Sequence, residues 1–372
     1  MARIDPFEME RMQSRWWHLV EYDLSESGVA PLSIRDLLGP HADAETFLAT
    51  RLAYPLSEGS HETRANVAAW YEGATPEHVT MTNGGSEANL LTLWTLLEPG
   101  DRLAFMLPNY LQGWGLGRFF GDGTDTFKLK LRDGRWALDV DGLERSVTKK
   151  TKVVMVSNPN NPTGAVLDEE EMNAVVAAAE RVGAWIVADE VYRGAEVDSY
   201  VASPTFWGRS DRVVVTSGLS KAFAMPGLRV GWIVAPPELI LEARIRHDYT
   251  TLTPGMVSDA LAAFAMHPTV RENILARTRA IVRANLPRLE EWIAAQGDLL
   301  TYARPAAGAI AYVKYDLRER STALVDRIRE EQSVLLVPGD MFGLGRGLRI
   351  GFGFDAEQMM KGLERVGLAL RA

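Results

Sequence analysis

The chain has 372 residues, 47% of them apolar and 24% charged, which is typical of a soluble globular protein too long for one compact core. Its formal net charge of −9 argues against a nucleic-acid partner, because such proteins carry basic surfaces. It has no cysteine, which excludes disulfides and cysteine-type zinc sites, and its six histidines lack metal-ligand spacing, so we expect no metal.

The first segment with a chemical signature is residues 79–89. It predicts a strand, a glycine turn and the start of a helix. Paired glycines let a backbone approach an anion, and a helix start offers free N–H groups and a positive dipole end. The segment therefore suits a phosphate, although such a turn taken alone is more often only a turn.

A strand–helix–strand unit follows. Residues 152–157 and 185–189 predict buried strands, and residues 168–182 between them have the helical period. Asp168 and Glu171 stand at the positions of a capping box. Two parallel strands joined in this way open at the same edge of a sheet, where ligands of α/β proteins bind.

A third β-branched run, residues 213–215, leads to Lys221 in a stretch of small residues. Lysine avoids protein interiors unless it is paired or used chemically, but taken alone this one could equally end a strand at the surface. The polar residues that follow the three strands are expected to converge at one sheet edge. They are Asn161, Asp189, Tyr192 and Lys221.

The last third of the chain predicts a smaller α+β unit, completed by the amino-terminal arm. Residues 270–295 predict a long helix that Pro287 is expected to kink or end. Three strand-like segments and a last helix follow, at 309–315, 334–338, 348–353 and from 355 onward.

Together these motifs resemble the class I and II aminotransferases, which are fold type I enzymes dependent on pyridoxal phosphate (PLP). The motifs are Asn-Asn-Pro-Thr-Gly at 160–164, Asp-Glu-Val-Tyr at 189–192, Ser-Lys at 220–221 with Arg229, and Leu-Arg-Ile at 348–350. The resemblance covers nearly the whole chain and implies an α/β fold. It comprises a large PLP-binding domain with a mostly parallel seven-stranded sheet between helices (45–255) and a small α+β domain (1–44 and 256–372).

The resemblance also implies how the cofactor is held. Lys221 would form a Schiff base with the cofactor aldehyde and then carry protons, while Asp189 would keep the ring nitrogen protonated. Asn161 and Tyr192 would bind the ring oxygen, and Tyr110 would stack on the ring. The implied phosphate contacts are Gly85, Ser86, Glu87 through its backbone, Ser220, Arg229 and, from the neighbouring subunit, Tyr54. One departure is Gly218, where many relatives have serine or threonine, so that Ser217 or Ser220 would have to compensate.

For the substrate, the resemblance implies that Arg349 clamps the α-carboxylate, since a guanidinium donates two parallel hydrogen bonds. Asn161 would border the same site, and the backbone of Gly28 would close over the substrate. The nature of the substrate side chain stays open. Arg246 in the neighbouring site would favour a dicarboxylate, although a solvated helix arginine is the simpler interpretation. Tryptophans 16, 17 and 114 would instead wall an apolar or aromatic pocket, or merely pack.

The implied activity is that of a transaminase, which moves an amino group from an L-amino acid to a 2-oxo acid in a homodimer with shared active sites. The alternative is a PLP-dependent lyase or cyclase. Residues 25–29, 217–223 and 226–232 are also similar to capreomycidine-synthase-like cyclases, which eliminate and recyclise. The turn at 160–164 and Tyr192 favour the transaminase.

No stretch of the sequence is long and apolar enough to span a membrane, and the first residues lack a signal-peptide pattern. We therefore expect a cytoplasmic enzyme of amino acid metabolism without a membrane partner.

Overall fold

The computed structural model describes residues 4–39 and 44–371. The helices in these ranges are α1 (Glu8–Trp16), α2 (Ile34–Leu38), α3 (Ala44–Leu48), α4 (His61–Ala68), α5 (Gly85–Leu96), α6 (Gln112–Phe120), α7 (Val140–Ser146), α8 (Glu169–Glu180), α9 (Pro237–His247), α10 (Met256–Met266), α11 (Pro268–Ala294), α12 (Ser321–Gln332) and α13 (Ala356–Arg371). None of these helices combines the length and the apolar character that crossing a bilayer requires.

The strands in the same ranges are β1 (Tyr22–Asp23), β2 (Val79–Thr82), β3 (Arg102–Leu107), β4 (Thr124–Arg132), β5 (Arg135–Leu138), β6 (Thr151–Ser157), β7 (Trp185–Asp189), β8 (Val213–Gly218), β9 (Gly231–Val234), β10 (Leu300–Tyr302), β11 (Ile310–Tyr315), β12 (Val334–Leu335), β13 (Val337–Pro338) and β14 (Leu348–Gly351).

The large sheet has the strand order β2-β9-β8-β7-β6-β3-β4-β5. Four consecutive pairings, from β8 to β4, are parallel, and β9 is antiparallel to both of its neighbours. This confirms the predicted mostly parallel sheet. The described residues give it eight strands instead of seven, because β4 turns back into a hairpin whose second strand, β5, adds an antiparallel edge.

The predicted strand–helix–strand unit is β6, α8 and β7. The Asp168 carboxylate accepts a hydrogen bond from the Glu171 N–H at 2.9 Å, and the Glu171 carboxylate accepts one from the Asp168 N–H at 2.9 Å, so the capping box forms as the sequence indicates. In the sheet register Asp189 lies opposite Ser157 on one side and Thr216 on the other. The strand ends therefore meet at one edge.

A second, antiparallel sheet has the order β10-β11-β14-β13, and β1 pairs with β12 beside it. Its core includes Val282 and Leu286 of α11, whereas Ile274 and Leu275 of the same helix pack in the core under the large sheet. Helix α11 therefore contributes to both cores, and the expected domain bounds, 45–255 and 1–44 with 256–372, stay a prediction. Pro287 does not end α11, because packing in the second core holds the helix together on both sides of it.

Candidate active site

A cavity of about 750 Å³ lies at the carboxyl ends of β6, β7 and β8. Most of the site residues implied by the sequence line it, namely Gly28, Gly85, Ser86, Tyr110, Asn161, Asp189, Tyr192, Ser220, Lys221, Arg229 and Arg349. Arg349 comes from β14 of the second sheet, so the cavity is bounded by both sheets. Tyr54 and Glu87 do not line it.

Asp189 is oriented by an amide that the sequence did not single out. One carboxylate oxygen accepts from Asn89 Nδ2 at 2.9 Å and the other from the Val191 N–H at 3.2 Å, while Asn89 Oδ1 accepts from the Thr216 hydroxyl at 2.6 Å. Loss of water raises the pKa of Asp189, and the hydrogen bond from Asn89 partly offsets this. The only sequence signal for Asn89 was its place one turn after Gly85, on the first turns of α5.

The glycine turn before α5 touches Arg229. Gly84 has a φ of +93°, and a Cβ placed on it would lie 2.4 Å from Arg229 Nη2, so only glycine allows this approach. The N–H groups at the start of α5 then stand beside a guanidinium, which is the donor set that a phosphate needs. The sequence prediction named Gly85 but not Gly84.

The departure at Gly218 has a steric reason. A Cβ at this position would lie 2.7 Å from the Val230 carbonyl oxygen, so β8 has no room there for a side chain. Of the two candidate replacements, Ser217 donates to the Glu190 carbonyl at 3.3 Å and lies outside the cavity, whereas Ser220 lines it.

Glu87 supports the glycine turn from behind. Its N–H donates to the Gly84 carbonyl at 3.1 Å, so this backbone group is already engaged within the turn instead of facing a phosphate as expected. Its carboxylate accepts from the Asn83 N–H at 2.6 Å and from the hydroxyls of residues 250–251 at 2.7 and 2.8 Å. Burial opposes its ionisation, but these hydrogen bonds and one from His247 prevail and lower the pKa of Glu87 to about 2.

Two tyrosines occupy different places. Tyr110 lines the cavity, where its hydroxyl donates to Glu10 at 2.8 Å and its ring meets the edge of Phe7 with centroids 4.7 Å apart. Helix α1 therefore fixes Tyr110 from the outer side. Tyr54 is 84% exposed, so its role toward a neighbouring subunit stays a prediction.

Arg349 is 1% exposed and faces the cavity. Its Nη1 donates to Asn161 Oδ1 at 2.9 Å and its Nη2 to the Ser25 carbonyl, while Nε has no partner within the described residues. Burial lowers the pKa of this guanidinium, opposed by the nearby Tyr192 and Glu26. A buried guanidinium with an unused N–H on a cavity wall fits a carboxylate ligand.

Lys221 is paired with a carboxylate. Its Nζ donates to Glu26 Oε1 at 2.6 Å, and the same oxygen accepts the N–H groups of Ser27 and Gly28 at 2.9 and 2.8 Å. Burial opposes the charge of Glu26, but Lys221, the Gly28 N–H and Arg349 together outweigh it and lower the pKa of Glu26 to about 2. Sequence reasoning missed Glu26, since the loop from 24 to 29 has no periodicity and was noted only for the Gly28 backbone and for its similarity to the cyclases.

Of the residues considered for recognition of the substrate side chain, only some lie at the cavity. Trp17 lines the cavity, whereas Trp16 lies under the Arg329 guanidinium at 3.8 Å and Trp114 under that of Arg118 at 4.5 Å. Arg246 does not line its own cavity. Its guanidinium donates to the Glu242 carboxylate at 2.9 Å and to the Trp94 carbonyl at 3.2 Å, and a role in a neighbouring site stays a prediction.

These residues fit pyridoxal phosphate. No side chain fits at Gly84 beside the Arg229 guanidinium, so the backbone N–H groups and the guanidinium are left as the donors there, which suits a phosphate. Asp189 offers a carboxylate for the ring nitrogen, and Lys221 offers an amine in the same cavity.

Comparison with known proteins agrees with this fit. The sequence matches the family Aminotransferase class I and II over residues 43–366. Capreomycidine synthase of Streptomyces vinaceus is 32% identical over 358 residues, which cover 92% of this chain and 88% of that protein. A PLP-dependent aminotransferase from Streptococcus suis superposes with a TM-score of 0.92 at 31% identity, covering 99% and 98% of the two chains. The PLP-dependent cyclase OrfR superposes with a TM-score of 0.89 at 31% identity, covering 100% and 98%.

Proposed function

The chain belongs to the class I and II aminotransferase family of PLP-dependent enzymes, and on that basis we propose that it is a transaminase. It would move the amino group of an L-amino acid to a 2-oxo acid. The observation that carries the proposal is that Lys221, Asp189 and Arg349 share one cavity, because these three supply the amine, the ring-nitrogen partner and the carboxylate clamp.

Each residue has a part that follows from its contacts. When bound, pyridoxal phosphate withdraws electrons from the substrate α-carbon. Asp189, oriented by Asn89, would hold a proton on the ring nitrogen, and Arg229 with the start of α5 would hold the phosphate. Tyr192 and Asn161 would bind the ring oxygen.

Lys221 would act twice. Its Nζ would bind the cofactor aldehyde and, once the substrate has displaced it, would take the α-proton and return it to the cofactor carbon. Arg349 would bind the substrate carboxylate through the guanidinium N–H groups that Asn161 and the Ser25 carbonyl leave free, and so fix which bond to the α-carbon faces the lysine.

We also propose a homodimer with shared active sites. Apolar side chains stand exposed in two segments, at Leu48, Leu52, Tyr54 and Leu56 and at Leu241, Ile245, Tyr249 and Leu252. The segments adjoin, since Arg244 donates to Glu58 at 2.9 Å. An exposed apolar surface of this kind is typical of a subunit interface, and Tyr54 within it would reach the partner's phosphate site.

A PLP-dependent lyase or cyclase is the second candidate. It is favoured by the 32% identity to capreomycidine synthase and by the fit to the cyclase OrfR at a TM-score of 0.89. The first chemical steps need the same residues, so the cavity serves either outcome.

The deciding experiment adds single amino acids, without any 2-oxo acid, to the cofactor-loaded protein and follows its visible absorption. A transaminase stops after one equivalent of 2-oxo acid, with the amino group retained on the cofactor. A lyase or cyclase returns to the starting spectrum and continues to release ammonia, an oxo acid or a cyclised product. Lys221→Ala is the control, and substantial turnover by this variant would refute both candidates.

A further inference from the structure

The free amine of Lys221 is held by Glu26 and not by the tyrosine beside it. Nζ lies 2.6 Å from Glu26 Oε1, and the two side chains are 24% and 23% exposed. The Tyr192 hydroxyl is instead directed to Ser27 Oγ at 2.8 Å. Removing these two charges from water costs free energy, and the ion pair offsets that cost only if both groups are held in a fixed geometry.

The loop that carries Glu26 supplies this geometry. Its start is fixed by the Gly351 N–H, which donates to the Leu24 carbonyl at 2.8 Å. A Cβ on Gly351 would lie 2.0 Å from the Glu26 carbonyl oxygen, and one on Gly28 would lie 3.3 Å from Glu26 Oε1 and 3.7 Å from Lys221 Cδ. The backbone around Glu26 is therefore packed on both sides, and its carboxylate is directed at the lysine.

We propose that Glu26 is a positioning residue for Lys221, which holds the ε-amine in place and favours its protonated form in the cofactor-free protein. The inference rests on the proposed function, in which the amine is released from the cofactor when the amino acid binds and stays free until the cofactor aldehyde is regenerated. It assigns Glu26 a task of its own, because the resemblance names the Gly28 backbone and the cyclase-like residues 25–29 in this loop but gives the Glu26 side chain no role.

The groups that act on the charge of Lys221 come from three elements: Glu26 follows β1, Tyr192 follows β7 and Arg349 lies on β14. The other titratable groups that line the cavity are Glu10, His18, Asp23, Tyr110, Asp189 and Arg229. Burial and the Arg349 charge oppose a proton on Lys221, whereas Glu26 and Tyr192 favour it, and together they raise the pKa of Lys221. Glu26 is the anion that contacts Lys221. When its charge is removed, burial and the Arg349 charge outweigh what remains, so the pKa of Lys221 falls.

The consequence concerns proton transfer. An ammonium cannot accept the α-proton. Because Glu26 favours the protonated amine, it raises the pH above which Lys221 can act as a base. We expect the acid side of the pH–rate profile to move to lower pH when the Glu26 charge is removed.

The test uses the full chain stripped of cofactor. Wild type and Glu26→Gln are treated with trinitrobenzenesulfonate across a pH series, and the extent of Lys221 modification is measured by peptide mass spectrometry. We expect the variant to react about tenfold faster at neutral pH, which corresponds to a midpoint about one pH unit lower. Glu10→Gln is the matched control, because Glu10 lines the same cavity but binds Tyr110. Its midpoint should stay at the wild-type value.

An unchanged midpoint in Glu26→Gln would overturn the inference. Equal shifts in Glu26→Gln and Glu10→Gln would also overturn it, because the summed charge of the cavity, and not the contact with Glu26, would then set the protonation of Lys221. Glu26→Asp keeps the charge on a shorter side chain and should restore most of the wild-type midpoint, which covers the case that the glutamine variant folds poorly. Failure of the proposed function looks different, because the loaded wild type would then not retain the substrate amino group on the cofactor, whereas the midpoints of the cofactor-free protein would be unaffected. As a second readout, the single-turnover pH profile of the loaded enzyme should shift in the same direction.

Discussion

Asp189 is the residue whose charge the chemistry needs most. Asp189→Asn keeps the size and the hydrogen bond from Asn89 Nδ2 but removes the anion that would hold the ring nitrogen protonated. We expect cofactor binding to persist and α-proton removal to slow by about two orders of magnitude or more, as when a preorganised electrostatic contact is lost. Stopped-flow absorbance under single-turnover conditions measures this rate. The exposed Asp211→Asn is the control, and an unchanged rate in the Asp189 variant would remove that residue from the mechanism.

Arg349 makes a prediction about binding. Arg349→Lys keeps the charge but cannot contact Asn161, the Ser25 carbonyl and a carboxylate together. We expect kcat/KM for the amino acid to fall by about 10- to 100-fold, mainly through KM, which corresponds to roughly 1.4–3 kcal/mol. Steady-state kinetics check this, with the exposed Arg346→Lys as control. A kcat/KM equal to that of wild type would show that the carboxylate binds elsewhere.

Residues at strand ends could be predicted from the sequence, whereas residues that meet them from other elements could not. Asn161, Asp189 and Lys221 follow β-branched runs whose direction fixes where their side chains lie. Glu26 reaches Lys221 across 195 positions of sequence, from a loop with neither period nor capping signal. Asn89 could have been suspected only from its place one turn after Gly85, because its burial and its need for a partner appear only in the fold.

At the level of elements, Glu87 ties the start of α5 to the segment after α9. Its pKa is about 2, against an ordinary value of 4.5, so the folded state favours the ionised form. A depressed carboxylate pKa stabilises the fold above the unfolded-state value, and this contribution is lost as the pH falls from about 4.5 toward 2.

We therefore expect Glu87→Gln to lower the free energy of unfolding at pH 7 by up to about 3 kcal/mol, and by much less near pH 3. Urea unfolding at the two pH values measures the difference, with the exposed Glu98→Gln as control. A loss of the same size at both pH values would show that shape and not charge matters at this position.

At this scale local signals predicted the helix starts well, whereas the effect of Pro287 depends on packing that the sequence does not show. The Asp168–Glu171 capping box appears in the sequence and in the structure because both partners lie within one turn. Pro287 illustrates the opposite case. It is a strong local stop signal, yet α11 continues through it to residue 294, because Leu286 and Leu289 beside it are fully buried in the second core.

For the whole molecule, the exposed apolar segments predict a dimer. Leu52 is 87% exposed, and Leu52→Asp would place a charge in the proposed interface. We expect wild type to sediment as a dimer and the variant to shift toward a monomer with reduced activity, since the partner's Tyr54 would be lost from each site. Analytical ultracentrifugation with parallel assays tests this. Leu368→Asp, at a 57% exposed position on α13, should stay dimeric. A fully active Leu52→Asp monomer would exclude shared sites.

The course of α11 has a consequence for how the protein melts. Ile274 and Leu275 near its beginning belong to one core, and Val282 and Leu286 further along belong to the other. No loop separates these two parts of α11. Unfolding of either core therefore removes the packing that holds one half of the helix, and this destabilises the half in the other core. Heating should accordingly produce a single calorimetric endotherm, and a mutation deep in the small unit should lower the melting temperature of the large one by the same amount.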